Sequence, residues 1–298
     1  MKRLFALSFV IAPLVFMGTS IVLWFLIGAI FGWPWIGALV GLVIALLATL
    51  FGIWRAERIV LAMSRAEEAT IEEYPRLHNI VDGLCVSLGL AKPNVYVIVD
   101  PAPNAMVFGT SVTDSSLVVT TGMLSLLDRI ETEGVVAQLL SRIRSGEVVR
   151  GTRAAVLIGA PVLLAEKLLR RRWWNSGRVP REGDRSDSSD VLSQIGSVLL
   201  FTAYPVSWVM GATVRGDRDI AADVAACHLT RYPPGLVGAL EKLENDCTVT
   251  HSASMATAHL WFAEPLSGVG DSGKLGKLHN LFSVHSSLDE RIALLKEL

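Results

Sequence analysis

The chain has 298 residues, a formal net charge of −1, 51% hydrophobic and 18% charged residues, and a mean hydropathy of +0.47. It is too apolar for an ordinary soluble protein, so membrane segments are expected, and its near-neutral charge gives no footprint for nucleic acid. Cys85, Cys227 and Cys247 are odd in number and far apart, which argues against a disulfide framework or a Cys-rich metal site and fits a reducing compartment.

From Leu4 to Trp54 there is no Asp, Glu, Lys or Arg. One helix of that length would run about 76 Å, over twice the roughly 30 Å hydrocarbon core. The stretch must fold back, and Gly32-Trp33-Pro34 is where it does so, because Pro34 cannot continue a helix and Trp33 and Trp35 suit the interface. Residues 1–54 are therefore expected to form a transmembrane hairpin with spans at about 4–31 and 35–54. Gly28/Gly32 and Gly37/Gly41 are small-residue pairs that would let the spans approach closely. Lys2 and Arg3 before the hairpin and Arg55 and Arg58 after it place both ends, and the domain at 55–298, on the cytoplasmic side of a cell inner or plasma membrane.

Pro75–Leu88 has helical spacing and ends at Gly89. Asn94–Val99 reads as a strand, a loop rich in Pro, Asn, Gly and Ser follows, and Ser116–Thr121 reads as a second strand. Asp128 and Glu131 form a capping box that opens a helix with a stripe of Val135, Val136, Leu139, Leu140 and Ile143, ended by Gly146. Two further apolar stretches, at about 154–169 and 191–214, flank an Arg-rich polar loop. They either cross the bilayer or dip in and pack on the domain. A helix starts near Asp217. Pro233-Pro234 breaks the chain before a helix near Leu236–Glu244, and Ser287 with Glu290 makes a capping box before the terminal helix. The predicted class is α+β, mostly helical.

These pieces, in this order, resemble the HtpX-like and CAAX-prenyl-protease family of integral-membrane zinc metallopeptidases. PAPNAMVFG (Pro101–Gly109) is similar to the family's P-x-P-N-A-x-x-x-G loop, and SLVVTTGMLSLL (Ser116–Leu127) to the strand and turn entering its catalytic helix. GVVAQLLSRI (Gly134–Ile143) has the frame of that helix, V-L-A-H-E-L-S-H-I. RDIAAD (Arg218–Asp223) resembles R-E-x-E-A-D, and LFSVHSSLDERIALL (Leu281–Leu295) resembles F-S-x-H-P-x-x-x-x-R-I, retaining His285 and Arg291. The resemblance implies a zincin-like metallopeptidase fold interrupted by the second apolar hairpin.

The chemistry does not come with that frame. A zinc peptidase needs His at i and i+4 on one helical face, a third ligand from elsewhere, and a Glu acting as base on metal-bound water. By the resemblance, the ligand positions are Gln138, Arg142 and Ala221, and the base position is Leu139. An amide, a permanent cation and two alkyl groups supply none of these roles. None of the six histidines are at i,i+4 spacing. Asp219 and Asp223 are, with His228 nearby, an arrangement more often found on a solvated helix face. His285 reads either as a retained cleft residue or as a packing or hydrogen-bonding histidine. Arg142 either replaces zinc as the link between helices, in a salt bridge with Asp223 or Asp219, or points to solvent.

The function expected is that of a membrane-anchored pseudopeptidase, a peptide-binding, scaffold or regulatory subunit of a membrane complex. It needs no cofactor, and its partners are the bilayer and a protein segment, with oligomers allowed. The expected binding edge is Asn104, Val107, Phe108, Gly109, Ser111 and Val112, because backbone pairing needs no metal. The alternatives are an active HtpX-like zinc metalloendopeptidase in membrane protein quality control, which alone would require zinc, and a structural membrane subunit.

Overall fold

The computed structural model describes residues 2–153, 155–156, 217–246, 248, 250, 252–253, 257–265 and 285–298. The chain divides into two compact units, Met1–Trp54 with Ala154–Thr213, and Arg55–Arg153 with Val214–Leu298. Apart from residues 155–156, the second apolar hairpin and its polar loop lie outside the described residues.

In the first unit, α1 (Lys2–Ile30) and α2 (Pro34–Trp54) pack against each other. Gly32 turns the chain at φ +80°, a left-handed conformation that glycine adopts without a Cβ penalty. Gly28 and Gly37 lie at the helix contact. A Cβ at Gly37 would sit 2.2 Å from the Trp24 carbonyl oxygen and 3.0 Å from Gly28 Cα. Gly41 also meets Trp24, but Gly32 has nothing within 4 Å, so it serves the turn and not the helix contact. Among the described residues, Pro34–Gly52 is long and apolar enough to cross a membrane, and Met17–Ile30 is a shorter apolar stretch.

The second unit is α+β. After α3 (Ala56–Ser64) and the short β1 (Glu67–Glu68), α4 (Pro75–Leu88) ends at a left-handed Gly89. β2 (Asn94–Ile98), β3 (Ala105–Gly109) and β4 (Ser115–Thr120) complete a sheet of order β1-β2-β4-β3. β2 pairs with β4 in parallel, and the other two pairings are antiparallel. β3 runs through the stretch expected as a loop; its Pro- and Asn-rich approach hides a five-residue apolar strand, AMVFG.

Alternation along the strands sets the core. Val95, Val97, Ala105, Val107, Leu117 and Val119 share one hydrophobic cluster with α4 and α6, and the register places Val97 and Ala105 on either side of Val119. The short α5 (Thr121–Leu126) leads into α6 (Arg129–Arg144). The capping box is present: Asp128 Oδ1 accepts from the Ile130 and Glu131 N–H groups, and Glu131 Oε2 accepts from Asp128 N–H. α6 packs on α4, on α7 (Asp217–Thr230) and on α8 (Pro233–Glu244). Pro233 and Pro234 do not precede α8 but form its first turn, where N–H groups have no helical partner to lose. α9 (Leu288–Lys296) is capped by the Ser287 hydroxyl, which accepts from Glu290 N–H at 3.3 Å.

Candidate functional site

α6 is buried on nearly every side from Gly134 to Ile143, because it is packed by helices and sheet together. Polar residues at its centre therefore sit inside protein, not at a surface. Gln138 and Leu139 are fully buried and Arg142 is 3% exposed. α7 brings Asp219 and Asp223, one turn apart and both buried. The carboxylates are thus not a solvated helix face. His228 is exposed and lies in a separate groove with Ala225 and Leu229.

Ala221 is exposed. It stands two residues from Asp219, about 200° around the helix at 3.6 residues per turn. A ligand at Ala221 could not face α6, so this expected position is corrected: the side chains α7 turns inward are Asp219 and Asp223.

Each inward carboxylate is already partnered. Arg291 holds Asp223 in a two-pronged grip, Nε to Oδ2 at 2.6 Å and Nη2 to Oδ1 at 2.7 Å. His285 Nδ1 lies 2.9 Å from Asp219 Oδ2, and its Nε2 lies 3.0 Å from the Ala258 carbonyl oxygen. Both ring nitrogens thus face acceptor atoms, one a carboxylate oxygen and one a backbone carbonyl. Burial works to raise the Asp219 carboxyl, but His285, and then Arg142 and Arg291, outweigh it and hold the group well below the usual carboxylate range. A third, partly buried pair, Arg218 Nη1 to Glu147 Oε1 at 2.8 Å, closes the cluster.

Arg142 takes neither carboxylate. Its Nη2 donates to the His259 carbonyl at 3.2 Å, and its Nη1 to those of Leu260 at 3.3 Å and Trp261 at 3.1 Å. The expected pair with Asp223 or Asp219 is therefore corrected. Among the described residues those acids pair with Arg291 and His285, and three backbone carbonyls occupy the Arg142 guanidinium. Burial lowers the affinity of Arg142 for its proton, while the field of Asp219 works to keep it charged. Burial pushes the Asp223 carboxyl up despite the Arg291 guanidinium, with Gln138 nearby working slightly the other way; among the described residues neither Gln138 amide atom has a hydrogen-bond partner.

The carbonyls that hold Arg142 belong to a segment, 257–265, with a single 3-10 turn at Ala258–Leu260. It also lies along β3. Met106 and Trp261 form an antiparallel bridge, and Phe262 N–H donates to the Ala105 carbonyl at 2.7 Å. The Gly109 N–H is taken by Thr152 Oγ1 at 2.8 Å. Asn104, Val107, Phe108 and Gly109 are buried, while Ser111 and Val112 beyond the strand are partly exposed. The expected open edge is thus covered at Ala105, Met106 and Gly109, where the chain's own later segment and Thr152 pair with it.

A zinc site of the expected kind needs three protein donors around one point. Among the described residues no three His, Cys, Asp or Glu converge in that way. The carboxylates that α7 turns inward already carry cationic partners, and a guanidinium stands at Arg142. The described residues around α6 and α7 do not fit the metal. Sequence reasoning missed His259, Glu147 and Arg218 as members of the cluster. His259 is fully buried, donates to the Gly151 carbonyl through Nε2 at 2.8 Å, and is pushed by burial down to about 3, which keeps it neutral.

Fold and site together define an α+β protein with an apolar helical hairpin and a buried polar cluster between two helices. The chain is 32% identical over 288 residues to a Protease HtpX homolog of Thermoanaerobacter pseudethanolicus, which covers 95% of this chain and 93% of that relative. It is also 32% identical to those of Caldanaerobacter subterraneus over 278 residues, with 92% and 90% covered, and of Dictyoglomus thermophilum over 296 residues, with 99% and 91% covered. No protein-family model and no solved structure matches it. The chain belongs to the HtpX-like family of proteases.

Proposed function

We propose that this chain is a membrane-anchored HtpX-family protein that holds protein segments without cutting them. The observation that carries the reading is Arg142: a buried guanidinium fixed by three backbone carbonyls, at the helix position where the family resemblance places a zinc ligand. Peptide hydrolysis at a zinc centre requires a metal-bound water and a base beside it. Leu139 offers no base, and a cation at Arg142 repels a second cation. The hairpin α1–α2 supplies the anchor, and the basic residues flanking it favour a cytoplasmic second unit. Within a membrane complex such a protein serves as a scaffold, a holder or a regulatory subunit.

The name shared by the relatives favours a second reading, a working protease. A cleavage assay separates the two. The full chain, purified in mild detergent, is incubated with unfolded casein with and without a chelator. The proposal expects no cleavage in either case, and cleavage that the chelator abolishes would overturn it.

A further inference from the structure

α2 is bracketed by two tryptophans. Trp35 and Trp54 are 78% and 73% exposed, and the helical rise between them is about 28 Å, close to the roughly 30 Å hydrocarbon core. Indole side chains settle at the membrane–water interface, so Trp54 marks the level at which the chain leaves the apolar layer. Arg55 is the next residue, and α3 begins at Ala56. The buried stripe of α3 is Ala56, Val60 and Ser64. Arg58 stands two residues from both Ala56 and Val60, which puts it on the opposite side of the helix, and it is exposed.

A second pair of arginines reaches the same end of the sheet. Glu57 of α3 accepts from the Ser116 hydroxyl on β4, and the register partner of Ser116 on β3 is Phe108. Beside Phe108, the Gly109 N–H donates to Thr152 Oγ1 at 2.8 Å. Residues 147–153 are helical. Thr152 faces β3 there, and a Cβ at Gly151 would meet Leu260 and His259. Arg150 and Arg153, three positions apart, share the outward side, where both are partly exposed. The acids at this end are engaged by protein donors: Glu57 by Ser116, Asp114 by the Thr110 hydroxyl, and Glu147 by Arg218.

We infer that Arg55, Arg58, Arg150 and Arg153 form a surface that binds the headgroups of anionic phospholipids at the level where α2 leaves the membrane. The tryptophan bracket sets the depth, since the turn after Trp54 falls among the headgroup phosphates. The guanidinium sets the chemistry, because its planar fork matches two phosphate oxygens at once. The surface discriminates by net charge. Phosphatidylcholine carries the same phosphate beside a compensating cation, whereas phosphatidylglycerol does not. This binding is independent of whether the chain cuts protein or holds it.

The test uses the full chain, delipidated in mild detergent and titrated with phosphatidylglycerol or with phosphatidylcholine of the same acyl chains. Lipids retained are counted by native mass spectrometry. The wild type is expected to prefer phosphatidylglycerol, and excess inorganic phosphate is expected to leave that preference intact. Each arginine near an anionic surface contributes about fivefold in affinity, so the Arg58→Gln, Arg150→Gln variant should bind phosphatidylglycerol about 25-fold more weakly and phosphatidylcholine almost unchanged. The control is Arg76→Gln, Arg129→Gln, which removes two exposed arginines from a groove at the start of α4 and α6 and should keep the preference. Equal binding of both lipids by the wild type would overturn the inference. So would displacement by phosphate, a preference that survives in the first variant, or an equal loss in the control. A wild-type measurement keeps the inference testable if the first variant does not fold. Raising salt from about 0.05 to about 0.5 M screens exposed charges and should erase the preference, and a preference indifferent to salt would contradict it.

Discussion

Arg291 and Asp223 meet through two hydrogen bonds of 2.6 and 2.7 Å, with both side chains almost fully buried. Arg291 also donates to the Phe262 carbonyl and stacks 4.6 Å from the centre of the Phe262 ring. One guanidinium therefore ties α9 to α7 and to the segment that runs beside β3. Removing one partner of such a pair strands the other charge in a dry interior. Arg291→Ala is expected to cost about 3–5 kcal/mol of stability, and Arg291→Lys also loses stability because an ammonium cannot keep the two-pronged geometry. The combined Asp223→Leu, Arg291→Met variant is expected to recover much of the loss. Thermal unfolding of the three variants in detergent checks this, and full stability in Arg291→Ala would count against it.

His259 sets a pH dependence. Its folded value lies at about 3, against about 6.5 for a free histidine. Between those values the unfolded chain binds the extra proton, so stability rises with pH from 3 to 6.5 and falls on acidification through that window, by at most about 1.4 kcal/mol per pH unit. Asp219 adds a loss that begins lower, below about pH 4, because a carboxylate with a depressed folded value contributes fully only above its unfolded value. The His259→Asn variant is expected to flatten the slope between pH 6.5 and 4 and to leave the steeper loss below it. Melting temperature against pH reads both, and an unchanged slope in the variant would show that another group titrates.

The hairpin makes a steric prediction. Gly37→Val places a Cβ 2.2 Å from the Trp24 carbonyl oxygen, where backbone must move. Overpacking of this kind costs about 1–3 kcal/mol. Gly18→Val, with open space around the Cβ, is the matched control. Cysteine cross-linking between α1 and α2 should drop in the first variant only.

The inward face of α6 carries Gln138 and Arg142 at the helical spacing that a pair of zinc-binding histidines needs. Gln138 and Arg142 are one turn apart and both buried beside α7. Replacing both with His creates an i,i+4 pair and frees the carbonyls of 259–261. The Gln138→His, Arg142→His variant is expected to bind zinc at about one ion per chain at neutral pH. Metal analysis after dialysis reads the outcome, and a metal-free double variant that still folds would mean that the helix face is not aligned with the α7 carboxylates.

Much of the fold was legible in local chemistry. The capping box of Asp128 and Glu131, the Gly89 stop and the Asp217 start depend on residues within a few positions of each other, and such signals survive folding. β3 was harder to read because AMVFG is flanked by loop residues, and its strand character comes from pairing with β4. The site divides along the same line. That Asp219 and Asp223 share a face follows from helical spacing, but their partners do not. Arg291 is 68 positions from Asp223, and the His259 carbonyl is 117 from Arg142. The sequence expectation set Arg142 against the carboxylates because it stands at a vacated ligand position, whereas the folded chain gives Arg142 to carbonyls and the carboxylates to Arg291 and His285. Ala221 was misplaced for a simpler reason: the motif frame assigned it a role that helical geometry turns outward.

The proposed function stands on an α6 site without metal chemistry, and the zinc content of the wild-type chain is the sharpest check of it. The measurement is made on full-length protein purified in mild detergent, without chelator and with zinc present during expression. Well below about 0.1 zinc per chain is expected, whereas a site of three protein ligands would hold about one. Stoichiometric zinc that survives dialysis would contradict it.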